Sequence, residues 1–324
     1  MSFKEPDYPI RAKKLEAIRR RLAPNHEKAL KIEQEYMRVI AGYRGETSLK
    51  YHLSFLSEKQ FHILHGIRLP SAQNEYFFQI DMMILSKYFF LLIEVKNLSG
   101  SITYDPAFQQ IIQLNNGKEK IYQDPILQVE RQKSQFLLWL TKHKITALPP
   151  IHTLVVLSNS QAYIKATSSH KDTAKIIRPD KLPIKISEYE NIYRREAITD
   201  KELNKLNRLI HKNHTPEEYD AMDHFQLTMT DLISGVHCPR CEQLPMLKRR
   251  YSWYCPNCQF SSKDAYLQSL HDYYYLFGPY ISNSQLRNFL GVPSRHSAQR
   301  LLHYIETGRI GNRKSTKYLL PFSD

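Results

Sequence analysis

The chain has 324 residues, with 46 Lys and Arg against 32 Asp and Glu, a formal net charge of +14. That length fits two or three domains, and so basic a balance favours a polyanionic partner, most simply nucleic acid, with DNA the expectation. No apolar run approaches the roughly 20 residues of a membrane span, and the N-terminal MSFKEPDYPIRAKKLEAIRRR has no apolar core, so a signal peptide is not expected and a cytoplasmic protein is.

Taken in chain order, residues 1–40 read as a charged N-terminal helical extension. Leu15, Ile18 and Leu22 form a thin apolar stripe on it, and a solvated helix is the expectation. A second helix is expected from Gly45-Glu46-Thr47-Ser48-Leu49 to Leu56, followed by a strand over Phe61 to Ile67.

The stretch FFQIDMMILSKYFFLLIEVKN, Phe77 to Asn97, reads as a β-hairpin. Phe77 to Leu85 and Tyr88 to Val95 are apolar, aromatic and β-branched, and Ser86-Lys87 between them suits a tight turn. With a two-residue turn Leu85 faces Tyr88, and Asp81 faces Leu92. A four-residue loop keeps that pairing, whereas a three-residue loop breaks it. Side chains alternate along a strand, so Asp81, Leu92, Glu94 and Lys96 share one face. Glu94 is then a diagonal neighbour of Asp81, about 7 Å away at the backbone.

Two carboxylates and an amine on an apolar ribbon are costly unless they are paired or bind metal. Mg²⁺ takes one or two carboxylates together with substrate phosphate oxygens, so Asp81 and Glu94 suit a Mg²⁺ or Mn²⁺ ion. Lys96 suits orienting or deprotonating a water, or stabilising transition-state charge. The alternative is an edge hairpin with a solvated charged face. ExK alone is a weak signal, but the flanking Phe89 to Ile93 and Gln79-Ile80 weigh against that alternative.

Gly100 to Asp105 reads as a short strand. Asp124-Pro125 opens a helix, with Asp as cap and Pro in the first turn. That helix carries Ile126, Val129, Phe136, Leu137 and Leu140, and it ends before Pro149-Pro150. Ile151 to Ser158 is a buried strand by its apolar continuity. Strands set between helices imply an α/β core, a mixed sheet flanked by helices. Lys171 to Asn191 is expected to hold a final strand and loop. Thr199-Asp200-Lys201-Glu202 is a capping box opening a helix toward Leu209-Ile210. A domain over 41–212 and a linker over 213–235 follow.

Gly45-Glu46, Gln79-Ile80-Asp81, Glu94-Val95-Lys96-Asn97, Gly100 and Asp124-Pro125 with Gln128 resemble, in order and spacing, the nuclease-related domain, often called NERD. That family is similar to the PD-(D/E)xK nuclease superfamily, whose restriction-endonuclease-like core is a mixed sheet flanked by helices. The resemblance implies that Asp81 and Glu94 bind metal, that Lys96 is the catalytic lysine and that Glu46 is a further acid. It also implies that Gln128 lines the site and that Gly45 allows close approach of its helix. On residue type alone, Glu46, Gln128, Arg131 and Gln132 read as exposed polar side chains on helices.

All four cysteines fall in two CxxC pairs, Cys238/Cys241 and Cys255/Cys258. That spacing matches a zinc ribbon over 236–262 with a closed, structural Zn²⁺ site. The hairpin between the pairs, Met246 to Tyr254, carries Lys248-Arg249-Arg250 with Tyr251, Trp253 and Tyr254. That combination suits phosphate contact and base stacking, or equally a solvated strand over a small aromatic core. Residues 263–324 read as a helix-turn-helix or winged-helix-like module. The expected helices are Asp264 to Leu276, Ser284 to Leu290 capped by Ser282 or Asn283, and Arg295 to Ile305. The last would present Arg295, His296, Gln299, Arg300 and His303 to a major groove, and Asn312 to Lys317, with Arg313, Lys314 and Lys317, would be a wing. The alternative is a helical bundle with a charged surface.

These readings converge on a metal-dependent nuclease hydrolysing DNA phosphodiester bonds, tethered to DNA by the ribbon and the helix-turn-helix. The runner-up is a catalytically inactive DNA-binding adaptor or regulator with a nuclease-like fold; a third reading is an RNA-directed enzyme.

Overall fold

The computed structural model describes residues 6–57, 59–168, 170–305, 307–312 and 315–322. It divides into two units: Met1–Asp7 with Ala41–Glu217, and Tyr8–Ile40 with Glu218–Asp324. Helices α1 (Ile10–Arg21) and α2 (Ala29–Thr47) open the chain, and the division falls within α2.

The first unit continues with α3 (Lys50–Leu53), β1 (His62–Pro70), β2 (Phe77–Leu85), β3 (Phe90–Lys96), β4 (Ser101–Asp105), β5 (Gln110–Asn115) and β6 (Lys118–Gln123). After α4 (Pro125–Lys142) come β7 (Ile151–Leu157), β8 (Tyr163–Ala166), β9 (Ile176–Ile177), α5 (Leu182–Ile192) and α6 (Asp200–Asn213). The central sheet has the order β1-β2-β3-β7-β9. Its first three strands are antiparallel, and β3, β7 and β9 run parallel.

Strand β3 lies at the centre, which explains its unbroken apolar run, since both of its faces are covered. Phe90 and Leu92 pack with Ile126, Val129, Phe136 and Trp139 of α4 and with Leu203 and Leu206 of α6. Leu91 and Ile93 pack on the opposite face with Leu49, Leu53, Leu182 and Ile186. The result is a mixed sheet between helical layers. The ends of α4 and α6 are set by the Asp124 cap, whose side chain accepts from the Ile126 N–H, and by the Thr199–Glu202 capping box.

The structure departs from the sequence reading at several points. The β2–β3 loop has four residues, so Leu85 pairs with Phe90 and Met82 with Ile93. This register moves along by one pair relative to a two-residue turn. Met83, not Asp81, therefore faces Leu92, and the ladder ends at Met82–Ile93, one residue short of Asp81. The face alternation also slips by one residue at Gly66 and Asp81: Leu64 and Ile67, and likewise Met83 and Ile80, all face one core. Gly66 has φ +56°, a left-handed backbone that favours glycine. Gly45-Glu46 does not open a new helix but ends the long α2. A second sheet, β6-β5-β4-β8, was not foreseen. Its β5–β6 hairpin turns on Asn116-Gly117, both with positive φ, a pair typical of two-residue hairpin loops.

In the second unit follow α7 (Ala221–His224), β10 (Leu247–Lys248), β11 (Trp253–Tyr254), β12 (Ser261–Ser262), α8 (Ala265–Phe277), β13 (Tyr280–Ser282), α9 (Asn283–Leu290), α10 (Arg295–Ile305), β14 (Gly308–Ile310) and β15 (Lys317–Leu319). The stripe on α1 is not solvated. Leu15, Ile18 and Leu22 are buried with Tyr219, Met222, Leu227, Leu232 and Leu276, so residues read as a linker supply part of a core. Arg20 and Arg21 at the end of α1 pair with the buried Asp272 of α8, at 2.5 and 3.2 Å. The cysteine ribbon and the C-terminal helices share one core: Val236, Cys238, Trp253 and Cys255 cluster with Leu270, Leu286 and Leu302.

Among the described residues no helix is long and apolar enough to cross a membrane.

Candidate active site and metal centre

The β2–β3 ribbon and two helices bring the acidic residues together. Glu94 is 2 % exposed. Its Oε1 accepts from Lys96 Nζ at 2.6 Å and its Oε2 from Gln132 Nε2 at 3.0 Å. Lys96 Nζ also donates to Gln128 Oε1 at 3.0 Å. Asp81 Oδ2 accepts from the Val95 N–H at 3.0 Å, which ties its strand to β3 where the ladder ends.

The electrostatics follow from that crowding. Burial pushes the Asp81 carboxyl well above the usual range, reinforced by the negative charges of Glu94 and Glu46; the Val95 N–H and Lys96 act against it. Burial and the Glu94 charge likewise raise Glu46, to about 7. Glu46 reaches this place because Gly45 lets α2 lie close to the sheet. A Cβ at Gly45 would sit 2.9 Å from Asn97 Cβ and 3.0 Å from Ser158 Oγ. Asn97 Nδ2 in turn donates to the Ala41 carbonyl at 2.8 Å.

Residues 41–158 match the family model described as the nuclease-related domain. The chain carries a nuclease-related domain. The matched span contains Glu46, Asp81, Glu94, Lys96 and Gln128 and ends just after β7. No curated protein and no solved structure matches the chain.

Within the nuclease-related domain, sequence reasoning missed Gln132. It reads as a surface glutamine, yet it is 6 % exposed and bonded to Glu94. Its spacing of four from Gln128 on one helix face was the available signal. Arg131 between them is exposed, as residue type alone suggests. Asp81, Glu94 and Glu46 form an oxygen-rich set whose mutual repulsion Lys96 only partly offsets, and such a set fits a hard divalent cation. Among the described residues only the four cysteines form a group of three or more ligating side chains with all donor atoms within 4.8 Å. The acids therefore offer one or two carboxylates rather than a closed cage, which leaves room for waters and phosphate oxygens.

The four thiols do form a closed set. Cys238 and Cys258 Sγ lie 3.5 Å apart, as do Cys241 and Cys255 Sγ. Four sulfurs at about 2.3 Å from a tetrahedral ion would be about 3.8 Å apart. The Gln243 N–H and the Asn257 amide lower Cys241 to about 6. The Phe260 N–H acts to lower Cys258, but burial and the neighbouring thiols prevail and push it up to about 12. Four sulfurs gathered this closely suit a cation that takes all four. Tight knuckles at each CxxC and the three-stranded β10-β11-β12 sheet position these sulfurs.

The basic residues divide. Arg249 stacks on Tyr254 at 3.8 Å, Arg250 on Tyr251 at 5.0 Å and Lys248 on Trp253 at 4.9 Å. Trp253 is buried in the core, so it is no stacking surface. Burial and the Arg300 charge lower Lys248, and the ribbon shares a core with Ala298 and Leu302 of α10. Arg295, His296 and Arg300 are exposed on α10. Gln299 is engaged within the fold: its Nε2 donates to Tyr318 Oη at 2.8 Å and its Oε1 accepts from Asn283. Lys317 is exposed on β15. Arg313 and Lys314 lie outside the described residues.

Proposed function

We propose that the nuclease-related domain is a Mg²⁺- or Mn²⁺-dependent phosphodiester hydrolase acting on DNA, and that the second unit holds it on nucleic acid. The observation that carries this reading is the Lys96 ammonium held between Glu94 and Gln128 beside Asp81 and Glu46. Asp81 and Glu94 would hold the ion, with Glu46 as a further acid. When bound, the ion polarises a phosphate oxygen and lowers the pKa of a water. Lys96 donates to the charge that develops on the phosphoryl oxygens. Gln128 aims the ammonium, and Gln132 keeps the Glu94 carboxylate in one orientation.

The second unit supports the tethering half. The order helix, strand, two helices and a two-stranded return, with β15 between β13 and β14, supports a winged-helix-like reading. Exposed Arg295, His296 and Arg300 on α10 and the arginine–tyrosine stacks of the ribbon suit phosphate and base contact. Zn²⁺ is the natural occupant of the four-thiol site.

Plasmid and oligonucleotide cleavage with Mg²⁺ or Mn²⁺, comparing wild type with Asp81→Ala and Lys96→Ala, tests the reading. Loss of cleavage by at least about 100-fold in both variants is expected. Tight binding without cleavage of any DNA or RNA would sink the enzyme and leave an adaptor built on the same fold.

A further inference from the structure

The candidate site shares a wall with a cleft of about 270 Å³ between the first half of β2 and one face of α4. Phe77, Phe78 and Gln79 line one side, and Gln128, Arg131, Gln132 and Gln135 line the other. The helical residues fall at three- and four-residue spacings, which place them on a single face. Gln128 and Gln132 are the side chains that also bond Lys96 and Glu94, so whatever fills the cleft lies next to the acids.

The lining has an uncommon composition. A channel for phosphates alone calls for cations, but here there is one cation, Arg131, among four amides and two phenylalanines. Each amide carries donors and an acceptor, the complement of a base edge. Phe77 is 42 % exposed, and the Arg68 guanidinium lies 3.9 Å over its ring. A ring braced in this way is a stacking platform.

Gln132 supplies the second observation. Its Nε2 serves Glu94, which fixes the amide orientation because a carboxylate needs a donor. Its Oε1 is then buried and accepts no hydrogen bond among the described residues. Buried acceptors are nearly always satisfied, by protein or by ordered water, so this oxygen in the wall of the cleft is an acceptor open to a donor brought there.

We propose that this cleft binds one unpaired nucleobase, stacked against Phe77 and read by the glutamine amides, beside the phosphate presented to Asp81, Glu94 and Lys96. A paired base has its Watson–Crick edge occupied and its faces stacked, so it cannot enter without being extruded. Single strands and overhangs, rather than blunt duplex, are therefore the substrate class; that part rests on the nuclease reading above.

The test uses the full chain without added divalent cation. It is titrated into single-stranded DNA and RNA oligonucleotides, each carrying 2-aminopurine at one position, and into the matching blunt duplexes. A fluorescence change at one position in single strands and none in duplex is expected. Phe77→Ala, and Phe77→Leu as the variant that keeps apolar bulk, should abolish that change and weaken single-strand binding by about 10-fold. Duplex binding and thermal midpoint should be unaffected. Equal signals from wild type and both variants, or an equal response from duplex, would overturn the proposal. Adding Mg²⁺ or Mn²⁺ separates the two readings. A Phe77-dependent signal without cleavage removes the nuclease and keeps the base site. Cleavage of single strands and blunt duplex at equal rates, independent of Phe77, removes the base site alone.

Discussion

Lys96 and Glu94 form a lopsided pair: the carboxylate is almost wholly buried, while the ammonium 2.6 Å away is a quarter exposed. The anion depends on its partner more than the cation does, because a buried charge without a counter-charge is heavily penalised. Lys96→Met is therefore expected to destabilise the metal-free protein by about 1–3 kcal/mol, as well as to abolish cleavage. Added Mg²⁺ should restore more stability to this variant than to wild type. Urea denaturation with and without Mg²⁺ measures both effects. Equal stability of variant and wild type in the absence of metal would contradict the pairing argument.

Gly45 is expected to tolerate no side chain. Its Cβ would meet Asn97 Cβ and Ser158 Oγ at 3.0 Å or less. Gly45→Val should force α2 away from the sheet at a cost of about 1–3 kcal/mol. Glu46 would move with the helix. Thermal denaturation reports the first effect, and loss of the Glu46 contribution to the stability–pH profile reports the second.

That profile has a definite sign. Glu46 is raised by burial and by Glu94 from 4.5 to about 7, and Asp81 is raised in the same direction. A carboxyl raised on folding binds its proton more tightly in the native state, so stability falls as pH rises. The metal-free protein is expected to be most stable, at these groups, below about 4.5 and to lose that contribution as pH rises through about 7. Glu46→Gln should flatten the fall and stabilise the metal-free protein above that window by about 1–3 kcal/mol. Mg²⁺ binds deprotonated carboxylates, so its stabilising effect should grow over the same window. Denaturant midpoints across pH, with and without Mg²⁺, decide the matter; superimposable profiles for wild type and Glu46→Gln would refute it.

The four thiols are expected to hold one zinc ion per chain, countable by elemental analysis. Because Cys238 and Cys255 share a core with Leu270, Leu286 and Leu302, removing the metal should loosen α8 to α10 as well as the ribbon. A drop in the unit's thermal midpoint on the order of 10 °C is expected for the several kcal/mol at stake. Hydrogen exchange should rise in those elements on chelation and stay unchanged in β1 to β3. Exchange confined to the ribbon would contradict the shared core.

What was legible in the sequence is what is local. That Glu94 and Lys96 share a face follows from simple alternation along β3, whereas Asp81 sits where the alternation of β2 slips. The Asp124 cap, the Thr199–Glu202 box and the CxxC pairs span a handful of residues each. Asn116-Gly117 was equally local and was overlooked. The rest depends on distant partners. Gln132 and an exposed helix glutamine are indistinguishable until Glu94 is brought beside one of them. Leu15, Ile18 and Leu22 look solvated because their partners are drawn from Tyr219 to Leu276. Trp253 looks available to a ligand until the core claims it. The slip of faces at Gly66 needs a backbone angle that no neighbouring letter dictates.

The second unit is written in two instalments, Tyr8–Ile40 and Glu218–Asp324, with 177 residues (41–217) between them. No single cut through the chain therefore separates the units cleanly. Removing everything after Ser234 to ask whether the tail grips DNA would also strip Arg20 and Arg21 of Asp272 and uncover the apolar side of α1. A loss of binding would then report damage as much as a missing contact. A dissection that respects the fold would excise the nuclease-related segment from within and rejoin its flanks. The same interleaving sets an order of assembly. At 5–20 residues per second, α1 waits about 10–40 s after its own synthesis before its partners from Tyr219 onward emerge, with its basic, apolar-striped surface open to chaperones in the meantime.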